Sequence, residues 1–172
     1  TLVIMDPIEG IKTYKDTSFA MMLAAQARGH ELYYARLQDL GFNNGEACAM
    51  VFPVSVFDQI TDYFQLGDAV TLALTDFAII LMRKDPPFDS DYLYATHLLD
   101  HAQAQGVVVA NAPQALRDVN EKLFILQFPH CIAPTLVSAN ASDIRAFWLL
   151  HGDVILKPLH AMGGAGIFRL KA

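Results

Sequence analysis

Cysteine, tryptophan and positive charge are scarce in this sequence of 172 residues. It has two cysteines, one tryptophan, and 12 Lys and Arg residues against 18 Asp and Glu residues, for a net charge of −6. Cys48 and Cys131 lie far apart without metal-ligand spacing, so we predict reduced thiols in a cytoplasmic protein. The deficit of basic residues argues against a nucleic-acid partner, because phosphate binding requires clustered Lys and Arg side chains.

Long apolar runs are also absent, although hydrophobic residues make up 53% of the chain. No run approaches the ~20 residues that a helix needs to cross a bilayer. The first residues do not have the charged-then-apolar order of a secretory signal. We therefore expect no membrane partner, and the length predicts one domain, or one domain and part of another.

Short apolar runs alternate with amphipathic stretches through the first two thirds of the chain. Strands are predicted at residues 1–6, 30–37, 77–83 and 107–111. Helices are predicted at residues 19–28, with Thr17 or Ser18 as N-cap and Gly29 after the end, and at residues 90–106. This alternation is typical of βαβ units, so the predicted fold class is α/β with a Rossmann-like parallel sheet.

The remaining segments are harder to assign. Asn-Gly in FNNGEA predicts a hairpin turn at residues 42–47, and residues 56–64 fit a helix. Residues 112–128 predict a helix, continuous or broken, and a domain boundary falls here, with domains at 1–115 and 116–172. The last part is predicted as a strand at 131–139, a helix at 140–152, and a hairpin whose strands flank a glycine-rich turn at 160–166.

Two loops share an Asp-Pro step directly after a predicted strand. They are MDPIEG, residues 5–10, and MRKDPPFD, residues 82–89. Proline holds the preceding residue in an extended conformation, so each loop leaves its strand along a restricted path. Since ligands of open α/β sheets bind beyond the carboxyl ends of the strands, these two charged loops predict a binding crevice.

A lysine and a glycine-rich turn near the end of the chain form a candidate phosphate site. Lys157 ends a predicted strand, and HAMGGAG follows at residues 160–166. Glycines allow backbone amides to approach phosphate oxygens with no Cβ in the way. The turn is not a Walker sequence and no helix follows it, so it is not a P-loop. Taken alone, these residues fit an ordinary glycine-rich hairpin equally well.

Two other basic positions are ambiguous from the residues alone. Arg83 carries a planar donor fork that matches a carboxylate or a phosphate. A solvated salt bridge to Asp85 or Asp89 explains it more simply. Lys122, beside Glu121, fits a solvated helix face.

Four segments resemble the bacterial glutathione synthetases in order and in spacing. They begin with VIMDPIEGIKTYKDTSFAMM, ILMRKDPPFD, NAPQALRDVNEKLF and DVILKPLHAMGGAG, and the similarity is weakest at residues 42–74. The resemblance implies an ATP-grasp ligase, with a Rossmann-like domain followed by the beginning of an ATP-grasp domain. It implies phosphorylation of the cysteinyl carboxylate of γ-glutamylcysteine by ATP, and attack by the amine of glycine on the acyl phosphate. Mg²⁺, with Mn²⁺ as an alternative, would accompany the nucleotide.

The resemblance also implies roles for particular residues. Lys122 and Lys157 would contact the nucleotide phosphates, and the turn Met162–Gly164, which includes Gly163, would fold over them. Arg83 would be the catalytic and substrate-binding arginine that meets a peptide carboxylate. Asp6 and Ser18 would face the same cleft as substrate-binding residues.

Two departures from the family pattern affect these expectations. His160-Ala161 stands where the family often has Asp-Gly before its glycine turn, which alters charge and flexibility near the phosphates. The chain also ends soon after this turn, so we expect the magnesium ligands in a C-terminal part beyond it. His97 and His101 have a metal-ligand spacing without a third ligand, and we predict surface histidines.

Three functions therefore remain open. The first is a glutathione synthetase fragment, cytoplasmic and homo-oligomeric as the resemblance implies, and inactive as these 172 residues alone. The second is another ATP-grasp ligase that joins a different acid and amine. The third is a binding or assembly module without catalytic activity.

Overall fold

The computed structural model describes residues 1–160 and 163–171. The chain forms two compact units, Thr1–Asp118 and Val119–Ala172. The strands are β1 (Leu2–Ile4), β2 (Tyr33–Ala35), β3 (Leu40–Asn43), β4 (Glu46–Val56), β5 (Phe64–Leu66), β6 (Val70–Ala73), β7 (Ile79–Met82), β8 (Val108–Ala110), β9 (Val154–Leu156) and β10 (Phe168–Leu170). The helices are α1 (Thr17–Ala27), α2 (Ser90–Ala104), α3 (Pro113–Asp118) and α4 (Ala141–His151).

The first unit is built on one mixed sheet. Its main path runs β3, β4, β2, β1, β7, β8, and both β5 and β6 also pair with β4. β1 pairs in parallel with β2 and with β7, and β7 pairs in parallel with β8. This confirms the α/β class with parallel βαβ units. The antiparallel extension around β4 begins at the predicted hairpin, where Asn44 and Gly45 have φ values of 51° and 89°.

The side chains of β1 alternate between two faces of the sheet, and a helix covers each face. Leu2 and Ile4 belong to the apolar cluster that contains residues of α2, whereas Val3 and Met5 belong to the cluster that contains residues of α1. All four side chains are at most 2% exposed. Because both faces are buried, the strand is apolar throughout.

The start of α1 differs from the prediction in a way that matters for the site. Asp16, rather than Thr17 or Ser18, is the N-cap, and its Oδ1 accepts the backbone N–H of Phe19 at 2.8 Å. A carboxylate in extended backbone just before the helix is a favourable cap. The hydroxyl groups of Thr17 and Ser18, which follow it, are therefore not needed as caps and can bind other partners. Gly29 follows the helix end with φ +83°, as predicted.

Two other predictions were wrong. Residues 56–64 are not a helix: Val56 ends β4, a turn follows, and Phe64 begins β5, antiparallel to β4. Residues 131–139 are not a strand but the end of a short 3₁₀ turn and irregular backbone. Pro134 lies in the middle of this segment, and proline cannot donate a ladder hydrogen bond.

The second unit contains the predicted helix and hairpin. α4 has Asn140 as its N-cap, and Gly152 follows it with φ +73°. β9 and β10 are antiparallel, with Leu156 opposite Phe168. Asp153 and Arg169 brace the hairpin through two charge-assisted hydrogen bonds, the longer being 2.9 Å from Nε to Oδ1. The predicted helix at 112–128 is broken after Asp118.

In the part of the chain that the structure describes, no helix combines the length and the apolar character needed to span a bilayer. Cys48 and Cys131 are both free thiols.

Candidate functional site

The loops after β1 and β7 leave the sheet side by side. Ile4 is opposite Met82 in the parallel register, and the backbone N–H of Arg83 donates to the Ile4 carbonyl at 2.7 Å. This pairing places Asp6 and Arg83 at neighbouring carboxyl ends of the sheet. β1 leads through α1 to β2 on one side, and β7 leads through α2 to β8 on the other. The two loops therefore lie at the point where strand order reverses, which is the usual ligand site of such sheets.

A cavity of about 610 Å³ opens at this point. The loop after β1, the first turn of α1 and the loop after β7 form its walls. Its lining includes the predicted residues Asp6, Ser18 and Arg83, together with Lys12, Lys15, Asp16, Thr17 and Asp85. The structure thus brings together all three residues that the sequence predicted for the substrate side.

Two hydroxyl groups hold the Arg83 guanidinium in one orientation. Nε donates to Oγ of Ser18 at 3.1 Å, and Nη2 donates to Oγ1 of Thr17 at 2.9 Å. Nη1 donates to no atom of the described residues. The alternative explanation, a salt bridge from Arg83 to Asp85 or Asp89, is wrong, because the described residues give Arg83 no carboxylate within 4.0 Å.

Asp6 links the two loops rather than pointing freely into the cavity. Its Oδ1 lies 2.9 Å from the Lys84 ammonium, and its Oδ2 accepts the backbone N–H of Asp85 at 2.9 Å. The Lys84 ammonium also donates to the Asp85 carbonyl at 2.5 Å. Asp89 is used elsewhere, as the N-cap of α2. The segment that carries Arg83 is therefore attached to the loop after β1 at two points.

Three basic side chains and three carboxylates line the cavity, and the basic side chains suit an anionic group of a ligand. The basic side chains are Lys12, Lys15 and Arg83, and none of them forms a salt bridge within the described residues. Of the three carboxylates in its wall, Asp6 pairs with Lys84 and Asp16 caps α1, whereas Asp85 forms no salt bridge within the described residues. A cluster of positive charge beside the N-terminus of a helix raises the local potential further.

Tyr92 lies on α2, and the charges of Arg83 and Asp85 affect the pKa of its phenol. Burial raises the pKa of the Tyr92 phenol above its usual value near 10, Arg83 lowers that pKa, and Asp85 raises it. The phenol is therefore neutral at physiological pH. Its ring packs against Phe88, with centroids 5.1 Å apart, and so supports the end of the Arg83 loop.

The predicted phosphate-side residues all lie in the second unit. The Lys122 side chain is 17% exposed, and its ammonium is 2.7 Å from Oε1 of Glu121. Oδ1 of Asn120 accepts the backbone N–H groups of Lys122 and Leu123, at 3.0 Å each, which fixes the turn that carries the lysine. Lys157 follows β9 directly and is exposed.

The glycine-rich turn has the open backbone that was predicted for it. Gly163 and Gly164 have φ values of 61° and 84°, a region that favours glycine. A Cβ added at either position would meet no atom within 4 Å. Their backbone groups are thus accessible to a ligand. Met162, also predicted here, lies outside the described residues.

Sequence reasoning missed Thr17 and Lys84 as members of the substrate-side cluster. Thr17 was considered only as a helix cap, and Lys84 was assigned no role of its own. The signal that could have identified Thr17 is Asp16, since an aspartate cap directly before two hydroxyl residues leaves both hydroxyls available for other partners. Lys12 and Lys15 also line the cavity without having been singled out.

Comparison with known proteins identifies two matching family models. The N-terminal domain of prokaryotic glutathione synthetase matches residues 1–117, and the ATP-grasp domain of prokaryotic glutathione synthetase matches residues 121–172. Together they cover the loops after β1 and β7 as well as the glycine-rich turn.

Individual relatives agree. Glutathione synthetases of Shewanella oneidensis, Pseudomonas putida and Vibrio cholerae are 48%, 51% and 50% identical over 169, 170 and 169 residues. The matches cover 98–99% of this chain and 53–54% of the relatives. The chain therefore spans about half the length of the curated relatives that it matches.

Solved structures show the same fold. The ATP-grasp ligase PsnB in complex with a minimal precursor superposes with a TM-score of 0.54 at 18% identity, covering 99% of this chain and 56% of PsnB. PsnB in complex with a phosphomimetic variant of that precursor, Mg and ADP gives a TM-score of 0.53 at 18% identity, with 99% and 57% coverage. At this identity the likeness concerns the fold alone. With family models matching both parts of the chain and relatives near 50% identity, the chain belongs to the prokaryotic glutathione synthetase family.

Proposed function

We propose that this chain is part of a glutathione synthetase, which joins γ-glutamylcysteine to glycine and converts ATP to ADP and phosphate. One observation carries the proposal in addition to family membership. Arg83 leaves the sheet at the strand-order reversal and presents an oriented guanidinium, with Nη1 free of described partners, to a cavity of about 610 Å³. Such a fork recognises a carboxylate in two-point contact.

In this function Arg83 binds a carboxylate of the dipeptide. Ser18 accepts the hydrogen of Nε, and Thr17 accepts one hydrogen of Nη2. The hydrogens of Nη1 and the second hydrogen of Nη2 remain, and they form the outer edge that the guanidinium offers to the carboxylate. A carboxylate oxygen of the dipeptide takes the γ-phosphoryl group of ATP, and ADP leaves. The glycine amine then attacks the carbonyl carbon of the acyl phosphate, the carbon–oxygen bond to the phosphate breaks, and phosphate and a proton leave as the amide forms. Holding the carboxylate in place is the contribution expected of Arg83.

The second unit supplies residues that fit nucleotide phosphates. Lys122 and Lys157 provide positive charge, and the accessible backbone of Gly163 and Gly164 allows close approach by phosphate oxygens. Met162 would complete this loop. Glu121 holds the Lys122 ammonium at 2.7 Å, so a bound phosphate would share or replace that carboxylate.

Mg²⁺ would neutralise phosphate charge when bound, as expected for ATP-dependent phosphoryl transfer, and Mn²⁺ is an alternative. Within residues 1–160 and 163–171, no group of three or more His, Cys, Asp or Glu side chains is arranged to hold a metal ion. We therefore assign none of these side chains to the metal.

Further proposals concern organisation and setting. We propose a substrate-side domain at residues 1–115 and the first part of an ATP-grasp domain at residues 116–172. We also propose small molecules as the partners, rather than nucleic acid or membrane, and a homo-oligomeric assembly. The free thiols of Cys48 and Cys131 fit a cytoplasmic location.

The test is ADP release by a full-length protein that contains this chain, with Mg-ATP and with γ-glutamylcysteine and glycine omitted in turn. Release that needs both, together with glutathione detected as product, is the expected result. Release with another acid and amine would replace the substrate assignment with a different ATP-grasp ligase. Failure of calorimetry to detect binding of Mg-ATP or the dipeptide would favour a module without catalytic activity.

Arg83→Ala supplies the residue-level test in the same assay. It should raise the KM for γ-glutamylcysteine and leave the KM for ATP within about twofold, because Arg83 meets the dipeptide only. Arg28→Ala is the matched control, since Arg28 is an exposed arginine at the other end of α1 whose Nη1 donates to the Ala24 carbonyl. If Arg83→Ala behaves like this control, Arg83 does not bind the dipeptide.

A further inference from the structure

The hydroxyl pair at the start of α1 has no role in the helix itself. Asp16 supplies the cap, and the Thr17 and Ser18 side chains instead accept hydrogen bonds from Arg83, 66 and 65 residues away. Ser18 is 6% exposed, so little of it is available to a ligand in the cavity. This burial argues against direct substrate contact by Ser18.

The position of the guanidinium requires such acceptors. The N-terminus of a helix carries partial positive charge, so a guanidinium beside it is disfavoured unless nearby oxygens accept its hydrogens. Thr17 and Ser18 provide one oxygen each, on adjacent nitrogens of the same fork. Their two bonds fix both the plane of the guanidinium and the direction of Nη1.

We propose that Thr17 and Ser18 are positioning residues that hold Arg83 for the dipeptide carboxylate. This inference rests on the proposed function for its kinetic consequence, but the hydrogen bonds themselves can be tested without it. In this role both residues act through Arg83. The orientation they impose makes the outer edge of the fork available before substrate arrives, which lowers the entropy lost on binding.

The kinetic test uses a full-length protein that contains this chain. Thr17→Val keeps the shape of threonine and removes its hydroxyl, whereas Thr17→Ser keeps the hydroxyl. We expect Thr17→Val and Ser18→Ala each to raise the KM for γ-glutamylcysteine by about tenfold, the lower end of the effect of losing one hydrogen bond to a charged group, and to leave kcat within about twofold. Thr17→Ser should restore the wild-type KM.

Thr13→Val is the matched control. Thr13 lies in the loop before α1, is half-buried, and its hydroxyl has no hydrogen-bond partner among the described residues. The same loss of a hydroxyl there should leave the KM for the dipeptide unchanged. One result would overturn the positioning role and leave the proposed function intact. In that result Thr17→Val and Ser18→Ala have the same KM for the dipeptide as Thr13→Val, whereas Arg83→Ala raises this KM.

A second measurement does not depend on activity. In the 172-residue chain, the Nε–H proton of Arg83 should exchange slowly with water in the ¹⁵N NMR spectrum, because Ser18 accepts it. Ser18→Ala should accelerate that exchange by about tenfold, and Thr13→Val should not change it. Fast exchange in the wild-type chain would show that the hydrogen bond is not maintained, and would overturn the inference whatever the enzyme does.

Discussion

The Asp6 carboxylate lies 2.9 Å from the ammonium of Lys84, and this ion pair connects the loop after β1 to the loop after β7. The two residues follow neighbouring strands but are far apart in the sequence. The backbone N–H of Asp85 donates to the other oxygen of the same carboxylate. Asp6 therefore acts as a brace for the segment that carries Arg83, which is a different task from the substrate contact expected of it.

Replacing Asp6 should separate the two contacts. In Asp6→Asn the side-chain oxygen can still accept the Asp85 N–H, whereas Asp6→Ala loses both contacts. We expect Asp6→Ala to lower the free energy of unfolding by about 1 kcal/mol, a value reduced for partial solvent exposure, and Asp6→Asn to lower it by less. Urea unfolding of the 172-residue chain measures both.

Lys84→Met is a companion variant for that comparison, because it removes the ion pair and leaves the hydrogen bond from the Asp85 N–H to Asp6 in place. It also removes the hydrogen bond from the Lys84 ammonium to the Asp85 carbonyl, so it should lower the free energy of unfolding at least as much as Asp6→Asn. Equal losses in Asp6→Asn and Asp6→Ala would mean that the backbone hydrogen bond contributes nothing, and that the brace consists of the ion pair alone.

Lys157 and Lys122 should affect the nucleotide rather than the dipeptide. Replacing either by Met removes a positive charge from the proposed phosphate site, so the KM for ATP should rise by about tenfold or more. The KM for γ-glutamylcysteine should stay within about twofold. Initial-rate kinetics on a full-length protein that contains this chain measure both constants.

Lys171→Met is the control for this pair, since Lys171 is exposed just beyond β10 and has no assigned role. It should leave both KM values unchanged. A rise in the dipeptide KM with Lys157→Met would instead place Lys157 on the substrate side.

Much of the fold could be predicted from the sequence, because local patterns determine it. The apolar residues of β1, the Asn44-Gly45 turn and Gly29 after α1 each act through nearby backbone. The helix predicted at residues 56–64 was wrong because the spacing of these residues suits a helix as well as a strand. Only the pairing of β5 with β4 decides between the two structures. Such pairing is a tertiary effect that overrides local propensity.

The site was predictable as a set of residues but not as a set of contacts. Asp6, Ser18 and Arg83 were expected near one cleft, and they line one cavity. That Arg83 binds hydroxyls, and that Asp6 binds Lys84, depends on side-chain geometry across about 65 to 80 residues of sequence, which no local pattern encodes. The roles of these residues in binding remain predictions.

Loss of the hydroxyl should change the free energy of unfolding differently at two tyrosines of the first unit. The Tyr63 hydroxyl donates to the Ile8 carbonyl at 2.8 Å. The Tyr34 hydroxyl is buried and makes no hydrogen bond of normal geometry within the described residues. We expect Tyr63→Phe to cost about 1 kcal/mol in the free energy of unfolding, and Tyr34→Phe to be neutral or stabilising.

Urea unfolding of the two variants, at a pH where both phenols are neutral, makes the comparison. Each variant is the control for the other, because the chemical change is identical. A loss of about 1 kcal/mol in Tyr34→Phe would show that its hydroxyl has a hydrogen-bond partner after all, such as the Ile8 backbone or a buried water.

Tyr92 should make stability fall at alkaline pH. Burial is the largest cause of its raised pKa, so the folded state favours the neutral phenol. A group whose pKa is raised in the fold contributes its full stabilisation below the unfolded pKa, which is near 10 for tyrosine. That contribution is then lost as the pH rises through the folded pKa. Wild-type stability should therefore decline above about pH 10.

Tyr92→Phe cannot ionise, so its free energy of unfolding should decline less over the same range. Tyr34 and Tyr63 also have raised pKa values, but both are present in the two proteins, so the difference between the proteins isolates Tyr92. Urea unfolding at intervals between about pH 9 and pH 11 measures that difference. It should grow in favour of the variant as the pH rises. A constant difference would mean that Tyr92 ionises as easily in the folded chain as in the unfolded one, and that the packing of its phenol beneath the Arg83 loop is looser than the structure shows.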